Sequence, residues 1–461
     1  MQRYAEDDLI RWFNKSRRKP LVIRGARQVG KSTLVRSFAA REGLDLHEIN
    51  LERNRRLNNV FDEGVTEEVI RELAYACGSG SIRNERSLLF LDEIQATPAA
   101  IPFLRYLYED LPELAVIAAG SLLEFTLAKH NYSMPVGRIE YLFLGPMTFC
   151  EFLLARGEKH LSDLLSSFDD SDLPSTAHER LLRHFRDYLF VGGMPEALLA
   201  DCEGGTPRDV SDVHDSVIET YIDDFGKYAR DSQLTRLQTV FTHVPRCAGR
   251  KVIYSKIDPH SQARELKLAL DLLLKAGVIL AAYHCDANGV PLRGEIDWRV
   301  RKLYFLDVGL LNHVSGSPHM SMEQLRTNRF INEGVLAEQF VAQHVLFASR
   351  RNVTPELNYW LREGKTNNAE VDFLLVVDGR ITPVEVKAGK AGSLKSLHHL
   401  MYAKHLREAV RLDLNLPSTD RVDVRFRLGK GAEHVQYSLR STPIYAAEHL
   451  PRLLAQRRSA V

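Results

Sequence analysis

The 461-residue sequence predicts an α/β protein: a doubly wound parallel sheet first, a helical middle, and a second α/β domain at the C-terminal end. Three observations carry the prediction. Short apolar runs alternate with helical periodicity from residue 21 to residue 146, the pattern of a parallel sheet covered on both faces. Helical stretches and one hairpin signal fill the middle. Beyond residue 331 the order is amphipathic helix, strands, helix.

The first elements are strand, loop and helix. Leu21 to Arg24 is an apolar run, Gly25 to Gly30 a loop, and Lys31 to Arg41 has helical periodicity. Gly25, Gly30, Lys31 and Ser32 stand at phosphate-loop (Walker A) spacing. In such a loop the backbone N–H groups of Gly25, Ala26, Arg27, Gln28, Val29, Gly30, Lys31, Ser32 and Thr33 cradle phosphates, helped by the helix dipole. Lys31 is expected at the β- and γ-phosphates of ATP and Ser32 on Mg²⁺.

A second half appears at "LLFLDEIQ", a Walker B pattern. Leu88 to Leu91 reads as a buried parallel strand, so Asp92 emerges at its carboxyl end, where ligands of open α/β sheets bind. Asp92 is expected to hold Mg²⁺ through water and Glu93 to activate the attacking water, because the two tasks need separate carboxylates. Further strands are expected in Leu44–Glu52, Leu114–Glu124 and Arg138–Pro146, with helices in Glu67–Ala76 and Ala100–Leu111. Ser121, at a strand's carboxyl end, either caps a helix or hydrogen-bonds the γ-phosphate or the water. Arg138 either lies solvated at a strand end or reaches a γ-phosphate, its own or a neighbouring subunit's.

Composition restricts the rest. The chain is too long for one core. Its 61 basic and 60 acidic residues nearly cancel, so any DNA contact must be a local patch. Cys77, Cys150, Cys202, Cys247 and Cys285 are far apart, which argues against zinc or a disulfide framework and fits a reducing compartment. With no signal-like core and no run of membrane-spanning length, a soluble, cytoplasmic protein is expected, with no membrane partner.

The segments "RGARQVGKST", "LLFLDEIQ", "AAGSLLE", "VGRIEYLFLGPMTFCEFL" and "VGGMPEAL" together resemble bacterial and archaeal ATPases of the AAA superfamily whose chains end in a domain of unknown function. The resemblance implies that another strand separates the strand of Asp92 and Glu93 from the phosphate-loop strand. In the related signal-transduction (STAND) ATPases a Gly-x-Pro motif of the helical lid lies against the nucleotide. Gly193-Met194-Pro195 matches it, which puts Pro195 at the nucleotide; the same residues also suit an ordinary turn into a helix.

In the middle, "SSFDDSDLPST" and "DCEGGTPRD" read as loops, and Gln262 to Ile279 as one amphipathic helix stopped by Gly277. A hairpin signal at Asn288-Gly289 follows, giving a winged-helix pattern. Such a fold often binds DNA through its last helix. That helix offers Arg264, Lys267 and Lys275, but also Glu265 and Asp271, so packing against the ATPase is the competing role.

Near the C-terminus, Asn332 to Phe347 is an amphipathic helix carrying Glu338. Asp372 lies on one arm of a hairpin about Asp378-Gly379, and Glu385 and Lys387, two apart, share one face of the other. Two acids and a lysine so placed suit Mg²⁺: Asp372 and Glu385, with Glu338, hold the metal, and Lys387 orients water or steadies the phosphate. Helix with Glu, strand with Asp, strand with Glu-Val-Lys and then helix is similar to the PD-(D/E)XK nuclease superfamily, a restriction-endonuclease-like fold. That resemblance implies catalytic positions for Asp372, Glu385 and Lys387 and a supporting one for Glu338.

The expected organisation is an ATPase core at 1–155, a helical lid at 156–230, a winged-helix-like domain at 231–325 and a nuclease-like domain at 326–461. Two functions are compatible with it. One is an ATPase whose nucleotide state gates a Mg²⁺-dependent nuclease on DNA; the other is a nucleotide-driven switch or scaffold whose C-terminal domain binds a protein or nucleic acid without cutting it. A homo-oligomer is compatible with both.

Overall fold

A computed structural model describes residues 1–82, 84–121, 134–135, 137–170, 173–229, 231–316, 333–348, 351–363, 368–388, 394–428 and 431–455. Five strands, β1 (Leu21–Arg24), β2 (Asp45–Asn50), β3 (Ser87–Asp92), β4 (Ala115–Gly120) and β5 (Glu140–Phe143), form a wholly parallel sheet in the order β2-β3-β4-β1-β5. β3 and β4 are buried from end to end because helices cover both faces. Leu88 and Phe90 point to one core, with Ile23, Ile117 and the helix Lys31–Glu42. Leu89 and Leu91 point to the other, with Val22, Val116 and the helices Thr66–Ala76 and Ala100–Asp110. β4 stands between β1 and β3, so the strand of Asp92 is separated from the phosphate-loop strand as the resemblance implied.

After β5 the chain is helical. The helix Phe149–Ala155 starts at a capping box formed by Thr148 and Glu151, and the helix Ser175–Val191 ends at Gly192, whose φ of 73° suits a residue without a side chain. Helices Pro195–Cys202, Pro207–Tyr228, Asp231–Cys247 and Ala263–Lys275 follow. Leu266, Ala269, Leu270 and Leu273 bury one face of the last helix. Two of its acids are engaged from neighbouring elements, Glu265 by Arg236 at 2.7 Å and Asp271 by Arg301 at 2.7 Å.

The expected hairpin is present as β6 (Ile279–Cys285) and β7 (Ile296–Phe305), antiparallel. Asn288-Gly289 lies inside its connecting loop, residues 286–295, which also holds the 3₁₀ turn Leu292–Glu295. The hairpin also does not stand alone. β6 pairs in parallel with β8 (Leu357–Arg362), and the sheet continues through β9 (Ala369–Val377), β10 (Arg380–Val386), β11 (Glu408–Asp413), β13 (Gly431–Pro443) and β12 (Ser418–Leu428). Strands from both sides of the expected 325/326 division therefore share one eight-stranded sheet.

One core cluster runs from the first sheet through Phe149 and the lid residues Phe185 and Tyr188 to Phe340, Phe373 and Tyr445 of the C-terminal part. Polar contacts reinforce this junction. Phe149 N donates to His344 Nε2 (2.8 Å), Cys150 N to Glu448 Oε1 (2.8 Å), and His178 Nδ1 bonds Tyr445 Oη (2.7 Å). No described helix is long and apolar enough to cross a membrane.

Candidate functional site

Two groups of polar residues are built by this fold, one at the carboxyl end of the parallel sheet and one in the eight-stranded sheet. At the first, Gly25 follows β1 against the backbone of Leu144; a β-carbon on Gly25 would stand 2.1 Å from Leu144 O, so no larger residue fits. Gly30 has a φ of 91° and leads into the helix Lys31–Glu42, and Gln28 takes a φ of 64°. Ala26 and Val29 are buried, while Thr33 is exposed. Lys31 Nζ donates to its own loop, to Gly25 O (3.1 Å) and Ala26 O (2.8 Å). Burial pushes its ammonium down to about 8, against the opposing pull of Glu93 and Asp92.

Ser32 Oγ donates to Asp92 Oδ2 at 2.9 Å, so the two groups expected on Mg²⁺ already meet. Burial, and then the nearby carboxylate of Glu93, raise the Asp92 pKa, while the Ser32 hydrogen bond lowers it. A serine hydroxyl and a carboxylate at this spacing form an oxygen donor set suited to Mg²⁺. Glu93 has a φ of 54°, an uncommon conformation for this residue, which turns its side chain toward Ser121. Ser121 Oγ donates to Glu93 Oε2 (3.3 Å), and Gln95 Nε2 bonds the same oxygen. A cavity of about 390 Å³ opens beside them, lined by Arg27, Glu52, Arg55, Glu93, Ser121 and Lys227.

The lid reaches the loop at two points. Pro195 packs over Gly30, its Cγ 3.5 Å from where a β-carbon would stand. Tyr221 Oη donates to Arg27 O (2.7 Å), and the Arg27 guanidinium is ion-paired to Asp224 of the same helix. Arg138 lies elsewhere. It precedes β5 at the amino end of the sheet, where Glu140 is level with Leu21, and its Nε pairs with Glu109 at 2.8 Å. The own-site reading of Arg138 is therefore corrected: the length of β1 separates it from the loop of its own chain.

The second group gathers Glu338, Asp372, Glu385 and Lys387 with residues that sequence reasoning missed. Asp372 Oδ2 accepts from Val386 N (2.8 Å), which ties β9 to β10, and Lys387 Nζ donates to Glu385 Oε1 (2.6 Å). At the centre is Lys302 of β7, fully buried, with its Nζ 2.9 Å from Glu338 Oε1, 2.5 Å from Glu370 Oε1 and 3.6 Å from Asp372 Oδ1. Tyr304 Oη donates to the same Glu338 oxygen (2.7 Å). Burial disfavours the Lys302 charge, but Glu338, Tyr304, Asp372 and Glu370 together hold its pKa well above the usual lysine value. Burial also raises Glu385, helped by Asp372 and opposed by Lys387. Glu385 Oε2 is buried with no hydrogen-bond partner among the described residues.

The missed residues carry little sequence signal. Gln95 and Asp224 sit in ordinary helical or turn contexts, and Lys302 lies in "WRVRKLYF", where alternating charges suggest a solvated strand face. Only the "LDEIQ" spacing placed Gln95 near the chemistry.

Comparison with known proteins divides the chain in three. A model for an AAA domain matches residues 17–153; two models for domains of unknown function, DUF8612 and DUF4143, match residues 182–321 and 333–424. No curated protein matches. Among solved structures, the Orc1 protein of Aeropyrum pernix in complex with DNA is 15% identical over 69% of this chain and 94% of its own, with a TM-score of 0.25. Protein VC1899 of Vibrio cholerae is 12% identical over 71% and 81%, with a TM-score of 0.15. Likenesses at that level carry no argument. The AAA match and the five-stranded parallel sheet with its phosphate loop make the N-terminal part a P-loop ATPase domain of the AAA type.

Proposed function

We propose that ATP binding and hydrolysis at the phosphate loop gate a Mg²⁺-dependent, PD-(D/E)XK-like nuclease site acting on DNA. In the ATPase step, Lys31 exchanges the carbonyls of Gly25 and Ala26 for the β- and γ-phosphates, and Ser32 and Asp92 hold Mg²⁺. Bound there, the ion neutralises charge developing on the phosphates. Glu93, oriented by Gln95 and Ser121, takes the proton of the attacking water. Arg138, remote from its own loop, is available to a neighbouring subunit in a homo-oligomer.

The observation that carries the nuclease reading is the convergence of Asp372, Glu385 and Lys387 on adjacent strands, with one buried Glu385 oxygen left unbonded. That oxygen and Asp372 would hold the metal, and Lys387 would hold a proton or water beside it. The winged-helix-like segment supplies the link between the sites, since Gly277, at the end of its helix, lies 3.7 Å by its β-position from Ala26 N. Gating has a further physical basis in Asp307, which accepts hydrogen bonds from Gly193 of the lid and from Gln343 of the helix Glu333–Ala348.

The test is cleavage of linear, supercoiled and branched DNA in Mg²⁺ or Mn²⁺, with and without ATP. Cutting that disappears in Asp372→Ala and changes in Lys31→Ala supports the reading. ATP hydrolysis without cutting supports the second reading, a nucleotide-driven switch or scaffold that binds its partner without cleavage. The observation favouring that alternative is the internal compensation of the carboxylates by Lys302 and Lys387.

A further inference from the structure

We infer that the carboxylate cluster takes one divalent cation rather than two, because the ammonium of Lys302 stands where a second ion would. The inference rests on the metal-dependent reading above. Two-metal phosphodiester sites hold their ions about 3.5–4 Å apart between shared carboxylates. Lys302 Nζ lies between carboxylates of this kind, fully buried, 2.9 Å from Glu338, 2.5 Å from Glu370 and 3.6 Å from Asp372. Its stem comes from β7, a strand outside the hairpin that carries Asp372 and Glu385.

The remaining oxygens define the single ion site. Glu338 Oε1 is already shared by Lys302 and Tyr304, so that oxygen serves the lysine. Asp372 Oδ2 is held by Val386 N, so Oδ1 is the oxygen turned to the cluster. Glu385 gives Oε1 to Lys387 and leaves Oε2 buried and without a partner among the described residues. One Asp oxygen and one Glu oxygen suit an ion such as Mg²⁺ or Mn²⁺, which commonly binds through one or two carboxylates and retains several waters. Lys302 is then a positioning residue: it replaces an ion's charge and fixes Asp372 for the other.

The experiment counts Mn²⁺ by electron paramagnetic resonance on the full chain without nucleotide, in an Asp92→Asn background that removes the phosphate-loop contribution. One bound Mn²⁺ in the parent is expected, two in Lys302→Met, and none in Glu385→Gln. Glu370→Gln keeps one site, weakened about tenfold as for the loss of an outer-shell partner. Thermal unfolding gives a second readout: Mn²⁺ raises the melting temperature of Lys302→Met more than that of the parent, because the ions restore the missing positive charge. Two ions in the parent, or loss of the site in Glu370→Gln, overturns the inference. No ion in the parent overturns the metal-dependent reading as well. If Lys302→Met does not fold, the parent count and Glu370→Gln still decide.

Discussion

In the proposed ATPase step Lys31 and Glu93 carry the chemistry, and each makes a measurable prediction. The Lys31 pKa falls from 10.5 to about 8 because its ammonium is buried. An unfolded chain therefore holds more protons than the folded one between these values, so the penalty for burying the charge is complete below pH 8 and fades as pH rises to 10.5. Phosphate oxygens beside the lysine raise its pKa again, so ATP binding near pH 9 should take up protons. Calorimetric titration in buffers of different ionisation enthalpy reads this directly, and Lys31→Ala should abolish the uptake along with tight binding. Glu93→Gln should keep ATP affinity and slow phosphate release by about 10²–10⁴-fold, the usual weight of a general base. A Gln variant that hydrolyses ATP normally would place the base elsewhere.

Among the elements, the turn at Gly192 is tightly constrained. Its φ is 73°, and a β-carbon there would lie 2.0 Å from Asp307 Oδ1. Gly192→Ala should lower stability by about 1–3 kcal/mol from the backbone conformation alone, with the clash adding to it. The check is a denaturant melt, together with ATP affinity, since Pro195 begins the next helix and packs on Gly30. Local elements were the legible part of this molecule. The strand-loop-helix of residues 21–42 and the β3 strand with Asp92 are recorded in short-range spacing, which is why the ATP site could be read in sequence. Asp372, Glu385 and Lys387 were legible for the same reason, as one hairpin. Lys302 was not: on local periodicity it is one more charge beside Arg299 and Arg301, and only pairing of β6 with β8, which joins Ala282 to Leu357 far along the chain, carries it inward. The hairpin signalled at Asn288-Gly289 closes through the longer loop 286–295, because Pro291 and the 3₁₀ turn after it extend the connection.

For the molecule as a whole, Asp307 is the meeting point. Fully buried, it accepts Gly193 N at 2.7 Å from the lid and Gly309 N at 2.9 Å from its own turn, and Gln343 Nε2 reaches it at 3.2 Å. Gln343 belongs to the helix Glu333–Ala348, which also carries Glu338; Lys302 and Tyr304 lie just before Asp307 in sequence. A lid that moves with nucleotide must therefore either carry this helix along or break buried hydrogen bonds to a carboxylate. Hydrogen exchange across residues 333–348 should change on ATP binding, and Asp307→Asn should weaken that response while leaving Lys31 and the phosphate loop able to bind nucleotide. An unchanged response in the variant would remove Asp307 from the coupling.

The eight-stranded sheet also bears on how such a protein can be inherited. Because β7 supplies Lys302 and β6 supplies the parallel neighbour of β8, residues 326–461 do not contain the whole cluster. A recombination event that transplanted only those residues would deliver Glu338, Glu370 and Asp372 without Lys302, and a bare strand edge. The C-terminal unit is thus a poor passenger for gene shuffling unless the hairpin at 279–305 travels with it.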